Sequence, residues 1–319
     1  MIKSFSSDRS SDDAVSSKSP IVYVRRLIMT MAIATLFLMA LGSATRVMNA
    51  GLSCPDWPLC YGEFVPTEQM NLQVFLEWFH RLVASSMGLA TIMLTGLTLW
   101  FRQSLPKWVP WFGVGALILV MIQGALGAFT VTELLRFDIV TAHLGTGLLF
   151  FSTLTAGASA LFPYQPTGNS GKLPWVSLVT VVFIYAQSIL GGLVASQWAL
   201  HQCLANSNQL CAVMNNHLFG VIPVCISVLG VGLWSWRSQT IDFAGKRFGL
   251  IAVGLLLVQV AIGFATYKLR LQVEPLTVAH QSVGALLLGS MIVITVLGFR
   301  SQDYLTNPSI RLSNNIDTL

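Results

Sequence analysis

Charge is scarce in this chain. Asp, Glu, Lys and Arg make up only 10% of its 319 residues, against roughly a quarter in an ordinary soluble domain. Hydrophobic residues supply 54%. A chain this poor in charge cannot clothe a globular surface with polar side chains, so a soluble domain is excluded. The net charge of +5 comes from basic residues dispersed between apolar blocks. They form no stripe, which removes the electrostatic footprint of a nucleic-acid binder. Cysteine is also sparse, five in all, and no His/Cys grouping has the spacing of a zinc site. Residues 1–20 are rich in Ser, Asp and Lys and contain no cleavable signal pattern, so they read as a disordered cytoplasmic tail. Residues 301–319 read as a second polar tail.

What is abundant is long apolar runs. With about 20 residues needed per membrane span, eight blocks emerge, near 27–47, 74–100, 109–131, 139–162, 174–197, 214–235, 249–267 and 276–299. Lys and Arg favour the cytoplasmic side. With the N-terminus inside, 13 of the 18 basic residues fall on inner segments. The other five, Arg46, Arg81, Arg136, Lys268 and Arg270, lie at outer ends. Eight spans then bring the C-terminus inside as well. The cysteines agree with this topology, because Cys54 and Cys60 fall in the first outer loop and Cys203 and Cys211 in the third. An oxidising exterior favours disulfides for both pairs. Free thiols or a metal site remain the alternative reading. Cys225 falls within a helix and has no partner.

The chain looks duplicated. The interval from His80 to His143 is identical to the interval from His217 to His280. The odd-numbered spans share a second signature near their outer ends, "LGSAT" at 41–45, "LGAFT" at 126–130, "LGGLV" at 190–194 and "IGFAT" at 262–266. Gln123, Gln187 and Gln259 each stand four residues before the glycine in three of the four. Each half is thus a four-helix unit, 21–163 and 173–300, joined on the inner side by the Pro-, Gly- and Ser-rich "PYQPTGNSGK" (163–172). An even number of spans per unit keeps the copies parallel. The expected fold is an all-α integral membrane protein, with eight transmembrane helices in two tandem pseudo-symmetric four-helix bundles.

Four of the five histidines lie in the even-numbered spans, within about two turns of the outer end; His201 lies in an outer loop. An ionisable group within a membrane is a functional candidate by default. A single such histidine reads best as an interhelical hydrogen bond. Four at matched depth and equal spacing point elsewhere. Facing neutral imidazoles can grip a metal macrocycle from both sides, as axial heme ligands in a bundle do. The pairs are then His80 with His143 and His217 with His280, with room expected from Gly145, Gly147, Gly220 and Gly284. The five outer basic residues are candidates for anionic heme propionates, or snorkel to the interface.

The halves differ chemically. Glu77 precedes His80 by three residues, on the same helix face, while Met214 holds the matching position before His217. A carboxylate beside one site only suggests chemistry there and electron transfer at the other. The alternative is that Glu77 caps the helix or pairs with Arg81. The first outer loop is also the longer one: the stretch from Gly42 to His80 exceeds its counterpart from Gly191 to His217. Its "GLSCPDWPLCYGEF" (51–64) reads as a stiff lid.

Together these residues resemble the heme A synthase family. The motifs are "ATRVMNAGLSCPDWPLCYG" (44–62), "EWFHR" (77–81), "QGALGAFTV" (123–131), "TAHLGTG" (141–147), "NNHLFG" (215–220) and "TVAHQSVG" (277–284). The resemblance spans about 21–300 and implies an oxidoreductase that converts heme O to heme A, oxidising a ring methyl to formyl by successive hydroxylations. It implies heme O as substrate on His80 and His143, with Glu77 catalytic, and a heme b cofactor on His217 and His280. It further implies disulfides Cys54–Cys60 and Cys203–Cys211, a bacterial plasma membrane, a heme O synthase as partner and an electron partner of unnamed identity. The rival from the residues alone is a di-heme b-type electron-transfer protein, a quinol or ascorbate oxidoreductase. That role favours hemes at opposite membrane faces, whereas both pairs here lie near one. A transporter would call for broken helices or charges at mid-membrane, and neither is evident.

Overall fold

The computed structural model describes residues 19–164, 168–195, 208–238 and 243–306. Eight helices occupy them: α1 (Pro20–Val47), α2 (Leu72–Trp100), α3 (Val109–Thr132), α4 (Phe137–Ala160), α5 (Leu173–Ala195), α6 (Asn208–Arg237), α7 (Phe243–Lys268) and α8 (Glu274–Thr306). All eight are long and apolar enough to cross a membrane. The chain is an all-α, multi-pass membrane protein.

Several helices begin earlier than hydropathy alone suggests. Hydropathy marks the lipid core, but backbone hydrogen bonding carries a helix past it. α1 opens at Pro20, where a missing N–H costs nothing, and runs through Arg25 and Arg26 before its apolar stretch. α2 opens one turn ahead of its lipid-facing run because the Asn71 side chain accepts from the Val74 N–H at 3.0 Å. α8, with 33 residues, is about 50 Å long and overhangs a core of about 30 Å. It continues through Thr306, into the segment read as a tail. The rest of that tail, and residues 1–18, lie outside the described residues.

Helix contacts close two cycles. α1 packs on α2, α2 on α3, α3 on α4, and α4 back on α1; α5 to α8 do the same in order. The cycles meet where α8 lies against α1 and α4, and where α4 lies against α5. One apolar cluster joins Leu148 of α4 to Leu173, Ile184, Val224, Leu256 and Met291 of the second cycle. A second fills the first cycle, with Val24, Ile28, Met31, Leu94, Val109 and Leu154. Apolar burial drives little between helices in lipid, so close packing and polar contacts do the work. Thr95 bonds across to the Gly113 carbonyl at 2.9 Å, and the Tyr185 hydroxyl donates to the Gly145 carbonyl at 3.1 Å. Ser170 and Arg300 tie the connecting segment and the end of α4 to α8.

The duplication extends to irregular backbone. The turn after α3 places Leu134 and Leu135 at φ 52° and 60°; the turn after α7 places Arg270 and Leu271 at φ 51° and 60°. Two successive non-glycine residues in the left-handed region are uncommon. The same device at matching positions of the two halves marks one structural plan used twice.

Candidate functional site

The four helical histidines sit in the early turns of α2, α4, α6 and α8, His143 and His280 slightly nearer the helix start than His80 and His217. Consecutive spans alternate direction, so all four lie beneath one membrane face. Within the second cycle the His217 and His280 rings are neighbours in an edge arrangement, with centroids 6.4 Å apart and planes at 83°. Imidazole–metal bonds of about 2.0–2.1 Å place two axial rings about 6 Å apart, centre to centre. The spacing therefore accommodates one metal ion between the rings.

Each histidine lies against a glycine of the preceding odd helix. A β-carbon added to Gly42 would come within 2.9 Å of His80 Nε2. One on Gly127 would lie 3.3 Å from His143 Cε1, one on Gly191 3.0 Å from His217 Cε1, and one on Gly263 2.7 Å from His280 Cε1. The repeated glycine signature thus builds four flat seats for imidazole rings. The glycines after the histidines serve otherwise. Gly147, Gly220 and Gly284 lie against Gln123, Gln187 and Gln259, and Gly145 against Ile189 and Tyr185. The seats were legible as a repeat, but which glycine faces which ring follows only from helix rotation.

Glu77 is 4% exposed. Its Oε2 accepts from the Cys54 backbone N–H at 2.8 Å, and its Oε1 pairs with the Arg81 guanidinium one turn on. Arg81 also donates to three loop carbonyls, those of Asp56 and Leu59 at 2.6 Å and of Cys54 at 3.2 Å. Cys54 and Cys60 are disulfide-bonded and buried. The Asp56 side chain accepts from the Tyr61 and Gly62 N–H groups at 2.6 and 2.8 Å, the Gly62 contact chiefly holding that carboxyl below the usual carboxylate range. Trp78 donates its indole N–H to the Phe64 carbonyl at 2.7 Å. The first outer loop is therefore pinned to α2 by the residues that flank His80. Cys203 and His201 lie outside the described residues, so of the second expected cysteine pair only Cys211, in α6, is described.

The outer basic residues have separate fates. Arg46, in the last turn of α1, has a buried Nε with no hydrogen-bond partner among the described residues. Arg81 is committed to the loop. Arg136 is exposed and paired with Glu133 at 3.4 Å and Asp138 at 2.7 Å. Lys268 lies over the Phe264 ring at 5.5 Å, and Arg270 is exposed in the turn after α7.

The Glu77–Arg81 pair supports a stability prediction. Removing one partner of a buried ion pair costs about 3–5 kcal/mol, because the other charge is left uncompensated. Arg81→Ala should lower the thermal midpoint accordingly and expose the 51–64 loop to protease. Adding Glu77→Gln to it should restore part of the loss. Thermal unfolding in detergent, with limited proteolysis, measures both; an unchanged midpoint in the single variant overturns the pairing as a stabilising contact.

Fold and site together define a class: multi-pass helical membrane proteins that carry a histidine in the early turns of four alternate spans. A family model described as COX15-CtaA, cytochrome oxidase assembly protein, matches residues 25–292. The chain belongs to that family. It is 28% identical over 313 residues to the heme A synthase of Shewanella oneidensis, covering 82% of this chain and 92% of that one. It is 24% identical to the heme A synthase of Rhizorhabdus wittichii, over 83% and 91% of the two chains, and 24% identical to that of Geobacillus kaustophilus, over 85% and 90%.

Proposed function

We propose that this protein is a heme A synthase of the bacterial plasma membrane, with both termini cytoplasmic, that oxidises a ring methyl of heme O to a formyl group. The observation that carries the reading is the asymmetry of a repeated site: a histidine in the early turns of each of α2, α4, α6 and α8, and, among the described residues, a buried carboxylate one turn from His80 with no counterpart before His217. Buried ring nitrogens without partners, Nδ1 of His143, His217 and His280, and the glycine seats that admit a flat ring fit heme as the group held. His80 and His143 bind the substrate; His217 and His280 hold a heme b, which supplies one-electron transfer when bound. The two contact cycles support a division into a substrate half (21–163) and a cofactor half (173–300).

The residues of the first half divide the remaining work. Arg46 offers a buried, unpartnered guanidinium nitrogen at the outer end, suited to a propionate. Lys268 and Arg270 serve the second half. Arg136 stays a candidate at the exposed rim. Arg81 acts on the loop instead, keeping it seated over the site and excluding water. Glu77 has both oxygens engaged by donors, the Cys54 N–H and the Arg81 guanidinium, which fixes the position of its carboxylate. A carboxylate held beside a reacting carbon stabilises positive character there. The electron partner and a heme O synthase supplying substrate complete the functional context.

Pigment extraction tests the reading. Cells that make heme O should contain heme A only when they also express this protein. Unchanged heme O together with two bound b hemes would instead identify a di-heme electron carrier.

A further inference from the structure

Three of the four histidines are held by a glutamine from the preceding odd helix. Gln123 Nε2 donates to the His143 carbonyl at 3.0 Å and lies 3.4 Å from the ring Nε2. Gln187 Nε2 donates to the His217 carbonyl at 2.5 Å, and Gln259 Nε2 lies 3.4 Å from His280 Nε2. Each amide has a seat on the histidine's own helix. A β-carbon on Gly147 or Gly284 would come within 3.1 Å of the amide nitrogen, and one on Gly220 would collide with Gln187 Oε1. Each brace also holds unspent hydrogen-bonding capacity. The oxygens of Gln123 and Gln259 are buried without partners, as is Nδ1 of all three histidines.

His80 departs from this plan twice. Four residues before its glycine, Gly42, stands Leu38, which has no donor or acceptor and packs into the apolar cluster of the first cycle. Four residues after His80 stands Ala84, where His143 and His280 have Gly147 and Gly284. Both the brace and its seat are missing from the same position.

We propose that Gln123, Gln187 and Gln259 are positioning residues that hold three heme-binding histidines in place, and that His80, with no such brace among the described residues, is the exchangeable ligand through which the reacting heme enters and leaves. This rests on the heme reading above. An amide nitrogen carries two donors, so one glutamine can hold a histidine's backbone carbonyl and stand against its ring at once, as Gln123 does. Partners of this kind orient a ligand, and their loss costs about 10- to 100-fold in metal affinity. A resident cofactor needs both ligands braced, as His217 and His280 are. A substrate that must depart needs one ligand free to swing, and the first half has one braced histidine and one unbraced.

The test is heme transfer from the full-length, heme-loaded protein to excess apomyoglobin, followed by absorbance, with electron paramagnetic resonance of the ferric hemes. Gln259→Leu should release the heme of the second half about 10- to 100-fold faster. Leu38→Gln combined with Ala84→Gly installs the missing brace. It should slow release from the first half by a similar factor and shift the low-spin ferric signal of that heme alone. The second-half heme, unchanged in the double variant, serves as the internal reference. Release rates and signals that match the wild type in both variants overturn the proposal. A protein that takes up no heme while unfolding at the normal temperature overturns the heme reading itself, so the two failures are distinguishable.

Discussion

His217→Ala and His280→Ala should each abolish the heme b absorption of the purified protein. The rings lie 6.4 Å apart, centre to centre, so each reaches a shared iron only if both hold their places. Alanine leaves the iron one ligand and opens a void the size of an imidazole beside Gly191 or Gly263. Neither change disturbs the first cycle, whose core of Val24, Ile28, Leu94 and Leu154 is separate. The helical circular dichroism and any heme bound by His80 and His143 should therefore persist, which distinguishes lost ligation from lost fold. Gly263→Ala reaches the same end by steric means, since its β-carbon would lie 2.7 Å from the His280 ring. Retention of the heme b spectrum in both histidine variants would reject these residues as ligands.

Much of this was legible from residue order, for a physical reason. In a membrane every span must be apolar, so each departure stands out against a nearly uniform background. The histidines at 80, 143, 217 and 280 and the glycine signature before them are such departures, and their spacing exposed the duplication. Helix ends were less legible. The extension of α6 back to Asn208 and of α7 back to Phe243 passes through polar residues that hydropathy assigns to loops. The first outer loop was legible in part: its Cys54–Cys60 crosslink and the Glu77–Arg81 pairing could be read from the residues, but its attachment to α2 through backbone groups could not. Arg81 reads as an interfacial cation because its partners are the backbone carbonyls of residues 54, 56 and 59, and carbonyls are common to every residue type. The Glu77–Cys54 contact is hidden in the same way: one partner is a main-chain N–H in a distant part of the loop. The glutamines were visible as a pattern in three of four spans, but their attachment to the histidines depends on helix rotation.

The outer-loop network also sharpens what Glu77 should do when altered. Glu77→Gln keeps the shape of the side chain and an oxygen to accept from the Cys54 N–H, so the loop should stay seated and heme should still bind. What disappears is the negative charge. If that charge stabilises the oxidised methyl carbon, heme A formation should fall on the order of a hundredfold or more, the scale of losing one preorganised electrostatic contact. Heme O should accumulate in the cells. Glu77→Ala removes the loop contact as well and should be at least as inactive; it also leaves the Arg81 charge uncompensated, so the thermal midpoint should fall, while the three carbonyl partners of Arg81 still hold the loop. Measuring heme A against heme O in extracts of both variants, alongside the bound-heme spectrum, separates charge from positioning. Near-normal heme A from Glu77→Gln with none from Glu77→Ala would mean that Glu77 acts by holding the loop. Normal output from both would remove it from the chemistry.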